Sequence, residues 1–247
     1  MTTNSETGHA KNVANLESLI TSIIAFGAVY NPPKDSITLS ALQTLLKSSN
    51  DSFSAVNTAL SAYSLAVDIR EAGFQPLGKL ITRVNSALKA SDSTTQMDET
   101  AQTIIRKLQG KRASAKLTDE ELKVSAEEGK EIKQISASQM SYDSRLDNFD
   151  KLISFLITVP QYHPNEEDLK IDSLKAVYND LKKKNTDVLT AEIQLDNARN
   201  SRNEILYKPL TGLVDLASDA KVYIKSIFGA TSPQYKQVSK LTFVVRK

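Results

Sequence analysis

Glu71-Ala-Gly-Phe-Gln-Pro-Leu-Gly-Lys-Leu80 returns 133 residues later as Glu204-Ile-Leu-Tyr-Lys-Pro-Leu-Thr-Gly-Leu213. The match keeps the acidic start, an aromatic two positions before the proline, the Pro-Leu pair and the closing leucine. Followed outward, it extends in both directions. Val13, Leu16, Ile20 and Ile23 match Leu146, Phe149, Ile153 and Leu156 at the same offset. Tyr30-Asn-Pro32 matches Tyr162-His-Pro164, and Leu42 matches Leu174, at an offset of 132. One-residue indels near the turns and inside the long intervening segment reconcile the two offsets. A self-match of this length means one supersecondary unit used twice. The copies cover about 12–90 and 145–228, joined by helices at about 92–144.

The period within each copy is helical. Leu39, Leu46, Phe53, Leu60, Val67 and Phe74 recur every seven residues, reinforced by Leu42, Leu45, Val56 and Tyr63, and predict a helix from about Ser36 to Ala72. Leu174, Leu181, Val188 and Leu195 do the same for about Asn165 to Tyr207. Ile132, Ile135, Gln139, Tyr142, Leu146, Phe149, Ile153 and Leu156 alternate steps of three and four, a coiled-coil seam. The capping-box spacing Thr118–Glu121 suggests that its helix runs 119–158. A fourth helix spans about 76–108, with Asp92-Ser-Thr-Thr95 as a break within it, and shorter ones span 12–27 and 209–228. The Tyr-x-Pro turns make each copy an αα-hairpin. The expected fold is therefore all-α: an elongated antiparallel helical bundle of two duplicated hairpins. Residues 1–11 form a disordered lead-in, and residues 12–228 one bundle. The alternation Leu241, Phe243, Val245 marks 229–247 as an extended tail laid on the bundle.

Composition restricts function. There is no Cys, only two His, and 31 Lys+Arg against 29 Asp+Glu. The absence of Cys excludes disulfide frameworks, thiolate metal centres and Cys nucleophiles, and two His leave little for a catalytic triad. Near-balanced charge gives no field that would draw nucleic acid. Eight Gly and seven Pro suit long helices more than a many-turned β fold. The polar first twelve residues lack a secretory pattern, and the apolar run Leu19–Tyr30 is too short to span a bilayer, so the expected location is the cytoplasm.

Candidate sites are few. His163 beside Glu166, Glu167 and Asp168 could hold a metal, but those carboxylates fall in a helix's first turn, where they complement its dipole and Asn165 can cap. The first copy has Asn31 and Lys34 there, so no metal is expected. Arg70-Glu71 and Arg202-Asn-Glu204, each before a proline, read as ion pairs fixing the chain's path. Lys182-Lys-Lys184 is flanked by Asp180 and Asp187 and reads as a solvated face. Gln139 and Asn185, on or near the apolar stripes, read as register-fixing polar residues. The most apolar stretches lead into the two turns. Ile23, Ile24, Phe26, Val29, Tyr30, Phe155, Leu156, Val159 and Tyr162 form the candidate interaction surface. No catalytic, cofactor or metal residues are assigned, and no cofactor is expected.

Ser136-Ala-Ser-Gln-Met-Ser-Tyr-Asp-Ser-Arg-Leu-Asp-Asn-Phe-Asp150 and Phe228-Gly-Ala-Thr-Ser-Pro-Gln-Tyr-Lys-Gln-Val238 resemble a group of all-helical proteins of Bacteroidetes-type bacteria with no assigned function. The resemblance implies a bacterial, cytoplasmic origin and carries no site. The functional expectation is a non-enzymatic bundle for protein–protein association, a scaffold or assembly component that meets a protein partner or a second copy of itself, with no nucleic acid. The alternative is a protein of the helical pore-forming-toxin type that engages membranes through its apolar turns.

Overall fold

The computed structural model describes residues 6–111 and 140–246. Those residues are all-helical, with no strand. The helices are α1 (Glu6–Phe26), α2 (Leu39–Phe74), α3 (Leu77–Lys89), α4 (Thr95–Leu108), α5 (Tyr142–Ile157), α6 (Ile171–Tyr207), α7 (Leu213–Phe228) and α8 (Pro233–Ser239). They belong to two compact units, Met1–Tyr63 with Ala191–Lys247, and Ser64–Thr190. The divisions fall inside α2 and α6, the two longest helices at 36 and 37 residues.

In the first unit Leu16, Leu19 and Ile23 of α1, Leu42 of α2, Leu206 of α6, Leu213, Ala217 and Ile224 of α7 and Val238 of α8 share one core. The steps of three and four along α1 and α7 put these side chains on one face of each helix. In the second unit Phe74, Ile81 and Val84, Ala101 and Ile105, Phe149 and Leu152, and Leu174 and Leu181 do the same.

Along α6 the expected stripe Leu174, Leu181, Val188, Leu195 is buried throughout, and it continues to Arg202. Along α2 the most buried line is instead Leu42, Ser49, Val56, with Leu60 of the expected stripe exposed. Ser49 occupies a core position because its hydroxyl donates to the Leu45 carbonyl (2.8 Å). A hydroxyl satisfied by its own helix is cheap to bury, and an apolar pattern does not reveal it.

Several expected boundaries are corrected. α1 begins at Glu6, so residues 6–11 are helical and not part of a lead-in. His9 and Asn12 are buried there by hydrogen bonds that hydrophobic spacing could not show. The span 76–108 is two helices parted at the expected break, where Thr94 caps α4 by accepting from the Met97 amide. α4 then folds back on α3, with Asn85 donating to Gln102 (3.2 Å) and Gln109 to Thr82 (3.1 Å). α5 starts only at Tyr142, because extended Ser141 caps it through the Ser144 amide. The expected seam residues Ile132, Ile135 and Gln139, and the Thr118 capping box, lie outside the described residues. Ser232 caps α8 within the expected tail, with Pro233 at its first position. Beyond α8, residues 241–246 have no regular secondary structure and lie on α1, hydrogen-bonded by Asn12 and Asn15.

Pro76 and Pro209 bend the chain without reversing it. In the second unit Arg70 meets Asn185 of α6, and Arg83, past the proline, pairs with Asp168 ahead of the start of α6. The chain thus keeps its direction along α6. In the first unit Arg202 lies over the Phe53 ring, and beyond Pro209, Asp219 meets Lys34. Pro76 itself is in the helical region, so it supplies a pre-set φ where the missing N–H costs nothing.

Candidate functional site

The two turns are built alike. After α1, Gly27 takes a positive φ of 58°, a short 3-10 turn follows, and Tyr30 is buried. Its hydroxyl donates to the Ile37 carbonyl at 2.7 Å. Burial, then the neighbouring Tyr223, pushes its pKa up. Tyr223 of α7 packs edge-on to it and donates to the Asn31 carbonyl (2.6 Å), while Lys34 meets Asp219 at 2.5 Å. After α5, Tyr162 is buried and donates to the Leu169 carbonyl at 2.9 Å. Burial, then Asp168 and Glu166, pushes its pKa up to about 12. Arg83 of α3 grips Asp168 through both terminal guanidinium nitrogens, Nη1 and Nη2.

Of the nine side chains in the candidate interaction surface, Ile23, Tyr30, Leu156, Val159 and Tyr162 are turned into the core of their own unit. Phe26 and Phe155 are half-buried, leaving Ile24 (54 % exposed) and Val29 (58 %) open at the first turn. Ile157, beside the second turn, is exposed as well. An apolar stretch leading into a turn looks the same in sequence whether it faces the core or solvent. α1 with its turn, Gly8–Val29, is longer than its apolar run. It has 22 residues, and an 18-residue window within it reaches a mean hydropathy of 1.4, long and apolar enough to cross a membrane, although 44 % of that window is buried in the fold. This corrects the length argument drawn from Leu19–Tyr30.

The exposed His163 lines a groove of about 710 Å³ with Gln161, Asn165 and Glu166, facing Arg83, Ser86, Ser91 and Asp92. Among the described residues no three His, Asp or Glu side chains come together in a set that could hold a metal ion. The lysine run is engaged locally: Lys183 with Asp187, Lys184 with Asp180, and Lys182 near the Tyr178 ring.

Among the described residues Arg70 does not form the expected ion pair. Its guanidinium stacks on Tyr142 (4.1 Å) and donates to Asn185, which in turn donates to Asp143 (2.7 Å). Asn185 thereby ties α2 to α5 through α6, within the second unit. Tyr142 packs edge-on to Phe74, and Arg145 lies over the other ring and donates to the Phe74 carbonyl (3.0 Å). Burial lowers the pKa of Arg145, and the Nε atoms of Arg70 and Arg145 are buried with no hydrogen-bond partner among the described residues. Arg202 donates to Asn203. Arg145, His9, Asn12 and Asn15 were not legible as site residues. The available signal was polar side chains standing where an apolar face was due.

No family model, curated protein or solved structure is significantly similar to the chain.

Proposed function

We propose that this chain is a non-enzymatic protein for protein–protein association, built from two copies of one helical hairpin. Paired geometries support the duplication. The Tyr30–Ile37 and Tyr162–Leu169 clamps correspond at an offset of 132. So do the 3-10 turns Asp35–Ile37 and Glu167–Leu169, and the buried positions Leu42 and Leu174, Val56 and Val188. The ring pairs His9–Tyr207 and Tyr142–Phe74 correspond at 133.

The observation that carries the association reading is in the second unit. Leu65 (59 % exposed) and Ile69 (46 %) stand four apart on α2, and Leu189 (57 %) is open on α6. Single exposed leucines are ordinary, but a pair at helical spacing offers a face to another helix. Sedimentation equilibrium should give a mass above the 27.2 kDa of one chain, and Leu65→Glu with Ile69→Glu should restore the single-chain mass. A chain that stays single up to about 1 mM, a free energy of only about −4 kcal/mol, overturns self-association. Turnover or a tightly held cofactor in the purified chain overturns the non-enzymatic part.

A second reading is favoured by the length and hydropathy of Gly8–Val29 and by the open Ile24 and Val29: membrane engagement through the first unit. Flotation with anionic and neutral vesicles tests it, and absence of binding to either removes it.

A further inference from the structure

Asn12 and Asn15 are buried on α1, a helix whose other buried positions are mostly apolar, and what they bind is main chain. The Asn12 Nδ2 donates to the Val244 carbonyl (2.8 Å), and its Oδ1 accepts from the Val244 amide (3.0 Å). This is the two-way pairing that a neighbouring strand would make. The Asn15 Nδ2 donates to the Thr242 carbonyl (2.6 Å). Gly8 leaves room for Arg246, whose Nε would lie 2.7 Å from an added Cβ. The register is regular: 8 with 246, 12 with 244, 15 with 242. Steps of four and three along the helix rise about 6 and 4.5 Å, and two extended residues rise about 6.6 Å. Over these two steps the stripe and the extended chain drift apart by only about 3 Å.

Alternating with these contacts, Leu241 and Phe243, two residues apart, pack half-buried on the core. From α7, Lys221 donates to the carbonyls of Leu241 (2.6 Å) and Ser239 (3.3 Å) and lies 5.9 Å from the Phe243 ring. Burial lowers its pKa. Four hydrogen bonds thus go to backbone atoms of residues 241–244 and a fifth to the Ser239 carbonyl at the end of α8, and none depends on the identity of the residue. Specificity is left to two apolar side chains at a spacing of two. This is how a groove reads an extended peptide. The segment is only partly covered: residues 244–246 are exposed and both apolar anchors half-buried.

We propose that Gly8, Asn12 and Asn15 of α1 with Lys221 of α7 form a peptide-docking groove, and that residues 240–246 fill it as an internal ligand. A partner's extended segment with apolar side chains two residues apart displaces that ligand. The proposal deepens the association reading by naming a partner chemistry. The groove is in the first unit, whereas the exposed α2 face is in the second. A covalently attached tail acts at an effective concentration of about millimolar, so a partner segment binds weakly until the tail is loosened.

The test uses the full chain and a fluorescent synthetic peptide of residues 239–246. Leu241→Ser with Phe243→Ser loosens the tail, and this variant should bind the peptide at least about tenfold more tightly than the unaltered chain. Adding Asn12→Ala and Asn15→Ala should weaken that binding at least about tenfold, as should a peptide with serine at both apolar positions. In the unaltered, ¹⁵N-labelled chain, excess unlabelled peptide should speed hydrogen exchange at the Val244 amide. A loosened variant with unchanged helical circular dichroism that takes up no peptide overturns the groove. So does peptide binding that ignores the asparagine changes, or a Val244 amide that ignores excess peptide. Failure here with self-association intact removes the groove alone. Peptide uptake by a chain that stays single removes only the α2 face.

Discussion

The hydroxyl of Tyr162 donates to the carbonyl oxygen of Leu169, seven positions further along the connection from α5 to α6. Both residues are buried, so neither partner can exchange this bond for water. It fixes the turn after α5, as the Tyr30–Ile37 bond fixes the turn after α1.

Tyr162→Phe removes the donor and leaves a buried carbonyl unmet. The expected loss is about 1–3 kcal/mol in urea unfolding, with little change in ring packing. Tyr30→Phe should cost a similar amount. The two clamps are in different compact units and share no partner, so the double variant should lose about the sum.

Alkaline stability follows from the same bond. The Tyr162 pKa is raised from its ordinary value near 10 to about 12 by burial, then by Asp168 and Glu166. A raised folded-state pKa contributes stability that is complete below the unfolded value and fades as pH climbs through the folded one. The midpoint of urea unfolding should therefore fall between about pH 10 and 12. In Tyr162→Phe that fall should be shallower. An equal slope in both proteins would show that Tyr162 is not the titrating group.

How far the sequence revealed this depends on the kind of residue. The α6 stripe Leu174–Leu195 was legible because every member is apolar, and the burial follows it. The α2 line was misjudged because Ser49 holds a core position by bonding within its own helix. Asn12 and Asn15 went unseen for a related reason: their partners are backbone atoms more than 220 residues away. Local spacing carries no record of such a pairing. The turn residues Ile23, Leu156 and Val159 were correctly seen as strongly apolar, but the elements that cover them are distant in sequence. Helix type and period are local properties, while which face is covered is decided by the rest of the chain.

Acid should weaken a contact at the second turn. The hydrogen bond from Arg83, ahead of its charge, holds the Asp168 carboxyl below its ordinary value. A depressed pKa contributes stability above the unfolded value and loses it as pH falls through the folded one. Both groups are about half exposed, so salt screens them. An NMR titration of the Asp168 carboxyl should show a low midpoint that moves upward in Arg83→Gln. High salt should reduce the difference.

Leu210, directly after Pro209, has a φ of 67° and is 78 % exposed. A leucine in the left-handed region is strained and gains nothing from burial there. Its amide donates to Asp215 (2.7 Å), a bond that glycine retains. Leu210→Gly should stabilise the chain by up to about 1 kcal/mol despite the greater freedom of glycine when unfolded. Asp215→Ala, which removes the acceptor, should destabilise it. Thermal unfolding of both variants checks the pair, and a destabilised Leu210→Gly would show that the turn is held elsewhere.

Phe74 joins two functions in the second unit: it fills the core, 1 % exposed, and it lies beneath the Arg145 guanidinium. Phe74→Ala should cost about 3–5 kcal/mol for the cavity alone. It also takes away the ring face that offsets a cation whose pKa burial already lowers. Phe74→Leu keeps most of the volume and loses the ring. The leucine variant separates the two roles, because in it any loss beyond about 1.5 kcal/mol exceeds a volume-conserving swap. Combining Phe74→Leu with Arg145→Met removes the cation as well. If the stacked guanidinium matters, the double variant should be less destabilised than the two single losses added together. Strict additivity in the urea-unfolding cycle would show that Arg145 and the ring are independent.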